Sequence, residues 1–145
     1  MKPLFFVLAL CAAAIACKKS DVNVTEPCPI KQTTVAGRYV TTAIKYKASS
    51  SAAEQDLFAP LDSCQKDDTF ELRRDSSVTI LPGRLVCPGP PPPGSLTTWY
   101  VSADGKKFTF DAEYDIVSFD CTNLVVTQKD VNIPGDIRTL TLSKE

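Results

Sequence analysis

The residues of this 145-residue chain that could do chemistry are six cysteines and a scatter of acidic side chains, and there is no histidine. Histidine is the commonest general base and the commonest metal ligand, so the usual starting point for catalysis or metal binding is missing. The other side chains do not suggest a set of nucleophile, base and orienting group. The sequence therefore predicts a protein that is not an enzyme and has no catalytic residues, no metal and no cofactor.

The acidic side chains give little sign of a calcium or acid–base site. Asp67 and Asp68 are adjacent, so on a strand they would point to opposite faces, and they lack the alternating oxygen ligands of a calcium loop. The other acidic candidates are Asp111, Glu113, Asp115 and Asp120. Because these groups are dispersed, we interpret them as solvated turn and surface residues.

Cys17 stands where an apolar N-terminal run meets two lysines. Lys2 is followed by an uncharged segment rich in Leu, Phe, Val and Ala that ends at Ala16, which is the organisation of a secretory signal peptide. This run is shorter than the roughly 20 apolar residues that a spanning helix needs. We therefore predict that residues 1–16 are an export signal.

The small side chains of Ala14 and Ala16 precede Cys17, and this pattern resembles the lipobox of bacterial lipoproteins. The resemblance implies that Cys17 becomes the first residue of the mature chain and carries acyl chains such as palmitate. An ordinary signal peptide with an incidental cysteine and an uncleaved anchor are the alternatives. Several acyl chains hold a protein firmly at a membrane, so we expect a lipid-anchored protein of the cell envelope. The outer membrane is the expected membrane, with either a periplasmic or a surface-facing orientation.

Four cysteines remain beyond Cys17. They are Cys28, Cys64, Cys87 and Cys121. An even number in an exported chain favours two disulfides, for which three connectivities are open. A zinc site is the weaker alternative, because the sequence has neither a CxxC pair nor a histidine.

The composition predicts one domain without affinity for nucleic acid. Sixteen basic and 17 acidic residues give a net charge of −1, with no basic stripe to meet a phosphate backbone. Residues 17–36 are polar, contain two prolines and lack apolar periodicity, so we predict a lipidated tether there. The folded domain is expected to cover residues 37–145.

Apolar side chains alternate with polar ones along "TFELRRDSSVTIL", which predicts a hairpin that turns at residues 74–76. Cys64 and Cys87 are equally far from its centre, so a bridge between them is favoured if one bulge or loose end is present. Cys28 would then pair with Cys121, and the other connectivities stay open.

A second hairpin is predicted to turn at Asp104 and Gly105. A third is predicted to turn at "DCTN". Val117 and Phe119 alternate on its first strand, and Leu124 and Val126 alternate on its second. A last strand carries Leu140 and Leu142. The segment "SSSAAEQDLFAPLD" suggests a turn or two of helix. The predicted fold is all-β, an antiparallel up-and-down barrel of about eight strands with at most one short helix.

Residues 37–143 resemble the small lipocalin-like lipoproteins of bacteria. The resemblance depends on an ordered set of segments: "GRY", "CQKDDTFEL", Cys87, "TTWYVSADGKKFTF", "FDCTNLVVT" and the closing strand. It implies a barrel that binds a small apolar ligand. The usual Gly-x-Trp of the first strand is here Gly37, Arg38 and Tyr39, so Tyr39 would close the base of the barrel against Arg138.

The large apolar side chains have two interpretations. Trp99, Phe108, Phe110 and Phe119 either fill the core, which is the simpler interpretation, or line a ligand site. A small eight-stranded barrel can be filled by its own side chains or hold one small ligand. We therefore expect either binding of a small hydrophobic molecule or a filled module that contacts another envelope protein. The prolines of "CPGPPPPGS" are interpreted as an exposed loop, with docking of this stretch as the alternative.

Overall fold

The computed structural model describes residues 28–85, 87–88 and 98–145. The predicted signal peptide, Cys17 with the residues up to 27, and the prolines at 90–93 lie outside these residues.

Two short helices and nine strands follow one another along the described residues. The helices are α1 (Gln32–Val35) and α2 (Ser63–Lys66). The strands are β1 (Gly37–Lys47), β2 (Gln55–Asp56), β3 (Thr69–Leu72), β4 (Val78–Leu81), β5 (Tyr100–Val101), β6 (Lys107–Thr109), β7 (Glu113–Phe119), β8 (Asn123–Lys129) and β9 (Ile137–Lys144).

The strands form a single antiparallel sheet that curls into a half-barrel. Its order is β4-β3-β1-β9-β8-β7-β6-β5, and the short β2 pairs with one end of β1. The first long strand thus pairs with the last one, as it does in an up-and-down barrel. At one end the two sheet edges meet, because Ser77 and Thr98 form an isolated bridge and the Trp99 N–H donates to the carbonyl of Ser76 over 2.9 Å. The predicted all-β antiparallel fold is confirmed, but the described residues contain two short helices where at most one was expected.

The predicted hairpin of "TFELRRDSSVTIL" forms with the expected register. Leu72 lies opposite Val78 and Phe70 lies opposite Ile80, and Ser76 takes a φ of 70° in the turn. Apolar residues at a spacing of two can all face the core only in this register, because a slip by one residue would turn them to solvent. Gly105 has a φ of 69° in the second predicted turn, a conformation that glycine adopts without steric cost.

Both favoured disulfides are present. Cys64 bonds to Cys87 with a Cα separation of 5.2 Å, and Cys28 bonds to Cys121 with a Cα separation of 5.5 Å. The pairing of β3 with β4 ends at Thr69. Cys64 lies before this point in the chain, in helix α2. The loose end that the sequence required at this bridge is therefore a helical turn.

The helix prediction for residues 49–62 is wrong. This segment contains the strand β2, whose Gln55 and Asp56 pair with the end of β1 and whose Asp56 accepts a 2.8 Å hydrogen bond from Lys45 Nζ. The helices lie on either side of the segment, and each is four residues long. Cross-strand pairing has overridden the local helix propensity of the Ala-rich stretch.

The predicted start of the domain at Gly37 is too late. Residues 28–36, which we call the N-terminal segment, pack against the half-barrel: Val35 is completely buried and Cys28 is bonded to Cys121. Gln32 also joins the two sheet edges, because its Oε1 accepts from the Val101 N–H (2.9 Å) and its Nε2 donates to Ser76 Oγ (3.2 Å). The folded domain therefore includes residues that we predicted as tether.

The core is a set of side chains on the concave face of the sheet together with Val35. Its members are Val35, Tyr39, Leu72, Val78, Trp99, Phe108, Tyr114, Phe119, Leu124, Val126 and Leu142. Val117 was expected on the same face as Phe119, and this is wrong, because it is 59% exposed. A bulge in β7 between Ile116 and Ser118 shifts the register there and turns Val117 outward.

Candidate functional site

The half-barrel holds a cavity of about 200 Å³ between its strands. Most of its lining is apolar, with a few polar groups, which is the usual composition of a small-molecule pocket. The lining residues are Thr41, Ile44, Phe70, Leu72, Phe108, Phe110, Asp111, Tyr114, Arg138, Leu140 and Leu142.

The strand pattern explains why these side chains face inward. On β9 the residues Arg138, Leu140 and Leu142 are two apart, so all three point to the concave face. On β1 the inward residues Thr41 and Ile44 are three apart, because a register shift between Thr41 and Ala43 adds one residue. The cavity is thus built on regular strands, which hold side chains more rigidly than loops do.

Three phenylalanines form one wall of the cavity. The rings of Phe70 and Phe110 meet edge to face at 5.3 Å between centroids, and those of Phe108 and Phe110 are nearly parallel at 6.3 Å. Aromatic pairs in these arrangements gain about 0.5–1.5 kcal/mol beyond their burial. The wall therefore has a fixed shape and offers ring faces and edges to an apolar guest.

A chain of hydrogen bonds lies at the polar end of the cavity. The Tyr114 hydroxyl donates to Asp111 Oδ1 over 2.8 Å and accepts from Arg138 Nη2 over 3.2 Å. The same Nη2 donates to Gln128 Oε1 over 2.6 Å. Burial and the hydrogen bond to Asp111 together raise the pKa of Tyr114 to about 12. Tyr114 is therefore neutral at physiological pH and serves as a donor to Asp111.

Arg138 has a buried donor that the described residues do not satisfy. Its Nε is buried and has no hydrogen-bond partner there. Asp111, the acidic residue of the lining, is exposed, so water screens much of its charge. The cavity thus combines an apolar wall with a fixed cationic group at one end.

The other end of the half-barrel is closed by a layer of large side chains, Tyr39, Trp99 and Phe119. The indole N–H of Trp99 donates to the carbonyl of Arg73 over 2.7 Å. Lys144 covers this layer, with its Nζ 5.6 Å from the ring centroid of Tyr39 and 5.9 Å from that of Phe119. The Nζ also donates to the carbonyl of Thr34 over 2.9 Å. We call this region the closed end.

Burial changes the pKa of two groups at the closed end. It raises the pKa of Tyr39 well above its usual range and lowers the pKa of Lys144, in each case because the charged form loses hydration. A repulsive contribution from Arg74 lowers the pKa of Lys144 further. These shifts accompany a packed structural layer.

The structure divides the predicted ligand-lining residues into two groups. Phe108 and Phe110 line the cavity. Trp99 and Phe119 do not; both are buried in the core at the closed end. Tyr114 and Leu140 are among the lining residues that the sequence did not assign to a ligand site, although the alternation of Leu140 with Leu142 was visible in the sequence.

The expected contact of Tyr39 with Arg138 is wrong. In the antiparallel pairing of β1 with β9, Tyr39 lies opposite Lys144, whereas Arg138 lies opposite Tyr46 near the other end of the strand. Gly37 does lie at the closed end, against the side chain of Lys144. The basic residue over the ring of Tyr39 is therefore Lys144, and Arg138 belongs to the cavity.

The acidic pair Asp67 and Asp68 supports the chain after β4. Asp67 Oδ2 accepts from the Leu85 N–H (2.9 Å), and Asp68 Oδ1 accepts from the Gly83 N–H (3.2 Å). Among the described residues, no group of three or more His, Cys, Asp or Glu side chains is arranged to hold a metal ion.

No family model matches the chain, and no curated protein matches it in sequence. In the part of the chain that the structure covers, no helix is long and apolar enough to cross a membrane.

Proposed function

We propose that this protein is an exported, lipid-anchored lipocalin-like protein, without enzymatic activity, that binds a small hydrophobic molecule in its half-barrel. The observation that carries the proposal is the apolar cavity of about 200 Å³, lined by Phe108, Phe110 and Leu140. Pockets of this kind, apolar with a few convergent polar groups, are where proteins bind small molecules.

The volume limits the ligand to a small one. An apolar cavity of about 150 Å³ is large enough for benzene, whereas drug-sized ligands use pockets of about 300–1,000 Å³. At about 200 Å³, the cavity suits one aromatic ring with a short substituent, or a short alkyl chain. Long-chain lipids are therefore outside the proposal.

A lipid anchor at Cys17 would join the half-barrel at its closed end. Cys28 is bonded to Cys121 near the closed end, and the chain from an acylated Cys17 to Cys28 would span at most about 40 Å. The polar end of the cavity lies at the opposite end of the half-barrel from this attachment point. A ligand could reach such a cavity from the aqueous side.

Binding can be tested on the purified full chain by titration with toluene and 1-hexanol. We expect shifts in the NMR signals of Leu140 and Leu142, and a change in the fluorescence of Trp99, whose ring is 6.2 Å from the cavity residue Phe108. Leu140→Phe should weaken binding by filling the cavity. Val117→Phe adds the same side chain on the exposed face and should leave binding unchanged. No response to either compound would overturn the proposal.

The lipid anchor can be tested separately by mass spectrometry. We expect the mature protein to begin at Cys17 and to carry acyl chains, and Cys17→Ser should move it from the membrane to the soluble fraction. An unprocessed and unmodified N-terminus would contradict the anchor and leave ligand binding unaffected.

One observation favours a second candidate, a filled module that binds another envelope protein. Trp99, Tyr39, Tyr114 and Phe108 are each at most 2% exposed, so much of the interior is occupied by the protein itself. This candidate predicts crosslinks to a defined envelope protein in cells together with no affinity for small apolar compounds. Deletion of residues 90–93 should remove the crosslinks if the proline stretch is the contact.

A further inference from the structure

We propose that the ligand of this cavity is a small monocarboxylate, whose carboxylate accepts hydrogen bonds from the guanidinium group of Arg138; this inference rests on the proposed function. The polar end of the cavity supplies the argument, because it holds a cation whose donors are incompletely satisfied.

The guanidinium group of Arg138 has donors that the described residues leave unused. Arg138 lines the cavity, and of its guanidinium nitrogens only Nη2 donates hydrogen bonds within the described residues. A buried donor that loses water and gains no partner is costly, more so when it carries charge. A ligand that displaces water from the cavity must therefore supply an acceptor for the remaining guanidinium donors.

The guanidinium group of Arg138 is held in a fixed orientation. Its Nη2 donates to Tyr114 Oη (3.2 Å) and to Gln128 Oε1 (2.6 Å), so these two side chains fix the plane of the group. Because Tyr114 and Gln128 come from the neighbouring strands β7 and β8, the fixation depends on regular sheet structure. A group that is already oriented loses little conformational entropy when a ligand binds.

The charge of Arg138 favours an anionic ligand. No carboxylate of the described residues lies within 4.0 Å of a nitrogen of Arg138, so the guanidinium forms no ion pair there. Asp111 is linked to Arg138 only through the Tyr114 hydroxyl, and it is exposed. A partly buried cation gains most from a partner that brings both an acceptor and a negative charge. A carboxylate meets this need better than an alcohol or an amide does.

The apolar walls of the cavity select the apolar part of the ligand. Opposite the polar end, the cavity presents Phe70, Phe110 and Leu140, which favour an apolar ring or chain. Together with the volume of about 200 Å³, these walls fit arylacetates and short fatty acids of about six carbons.

The test compares three ligands by calorimetry on the purified full chain at neutral pH, where carboxylic acids are ionised. Phenylacetate carries the charge, phenylacetamide has almost the same shape without it, and toluene lacks the polar head. We expect phenylacetate to bind at least about ten-fold more tightly than phenylacetamide, the difference that one charge-assisted hydrogen bond makes. Arg138→Gln should abolish this preference. Arg38→Gln, at a residue on the outer surface of β1, should retain it.

A second measurement does not depend on the folding of a variant. In the unmodified protein, the NMR signals of the Arg138 guanidinium group should shift strongly with phenylacetate and little with toluene. Equal affinity for phenylacetate and phenylacetamide, or a preference that persists in Arg138→Gln, would overturn the inference and leave the binding of apolar molecules intact. If toluene and both phenyl compounds fail to bind, the proposed function fails, and the inference fails with it.

Discussion

The hydroxyl of Tyr39 donates a 2.6 Å hydrogen bond to the carbonyl of Val35, and both residues are completely buried. This bond joins the first strand to the N-terminal segment, residues 28–36. The same segment supplies Gln32, which connects the two sheet edges, and Cys28, which is bonded to the turn before β8. A stretch of chain that lacks the pattern of a strand thus closes one end of the half-barrel.

Tyr39→Phe should destabilise the protein by about 1–3 kcal/mol. The substitution keeps the ring but leaves the buried Val35 carbonyl without its partner, and an unsatisfied buried group costs that amount. Urea denaturation followed by circular dichroism measures the free energy of unfolding. Tyr100→Phe is the matched control, because Tyr100 is 48% exposed and its hydroxyl makes no hydrogen bond within the described residues, so we expect no change. Equal stability of Tyr39→Phe and wild type would contradict the role of this bond.

Removal of the two disulfides should have unequal effects. The loop closed by Cys28 and Cys121 spans 93 residues in sequence, and the loop closed by Cys64 and Cys87 spans 23. The chain-entropy model then gives a loss of about 4.6 kcal/mol for the first pair and about 3.4 kcal/mol for the second. Denaturation of the Cys28→Ala/Cys121→Ala and Cys64→Ala/Cys87→Ala variants measures both values. A greater loss from the shorter loop would show that native contacts, not loop closure, dominate.

The parts of the fold that were predictable depend on local information. The pairing of Phe70 with Ile80 follows from alternation on two adjacent runs and from a short turn between them. The bridge of Cys64 with Cys87 follows from the same hairpin. In each case the interacting residues are near in sequence, so one period and one turn decide the arrangement.

The errors arose where long-range contacts decide the structure. Arg138 was assigned to the closed end, but the pairing of β1 with β9 joins residues about 100 positions apart, and no local pattern reveals its register. The N-terminal segment was assigned to a tether because Val35 alone provides its fully buried apolar side chain. The polar end of the cavity escaped prediction for the same reason, because β7, β8 and β9 each contribute one residue to it.

Acid should destabilise this protein partly through Asp136. Burial alone would raise the pKa of this completely buried carboxyl, but hydrogen bonds from the N–H groups of residues 131–133 and from the Tyr46 hydroxyl outweigh burial and lower the pKa. Because the pKa is lower in the folded state, the ionised carboxylate stabilises the protein above the ordinary pKa of 3.8. This contribution to the free energy of unfolding is lost as the pH falls from 3.8 towards the lower pKa that Asp136 has in the folded state.

Asp136→Asn tests this expectation in urea denaturation at a series of pH values between 7 and 2. We expect the variant to be less stable than wild type at pH 7 and the difference to narrow as the pH falls below about 4. Glu54→Gln is the control, since Glu54 is exposed and its side chain forms no hydrogen bond within the described residues. A difference between Asp136→Asn and wild type that stays constant across the series would exclude the carboxylate as its cause.

Gly37→Ala should destabilise the closed end more than a comparable substitution elsewhere. Gly37 has a φ of 155°, and a Cβ at this position would overlap Cε of Lys144. Lys144 would have to move away from the Thr34 carbonyl and from the rings of Tyr39 and Phe119.

Gly135→Ala provides the matched comparison, because Gly135 also has a positive φ, 88°, but has no neighbouring atom within 4 Å of the added Cβ. Both variants carry backbone strain of about 1–3 kcal/mol, and Gly37→Ala should lose about 1 kcal/mol more through the displaced hydrogen bond. Amide hydrogen exchange should also become faster in α1 for Gly37→Ala alone. If both variants lose the same stability and α1 stays protected in each, Lys144 does not hold the N-terminal segment in place.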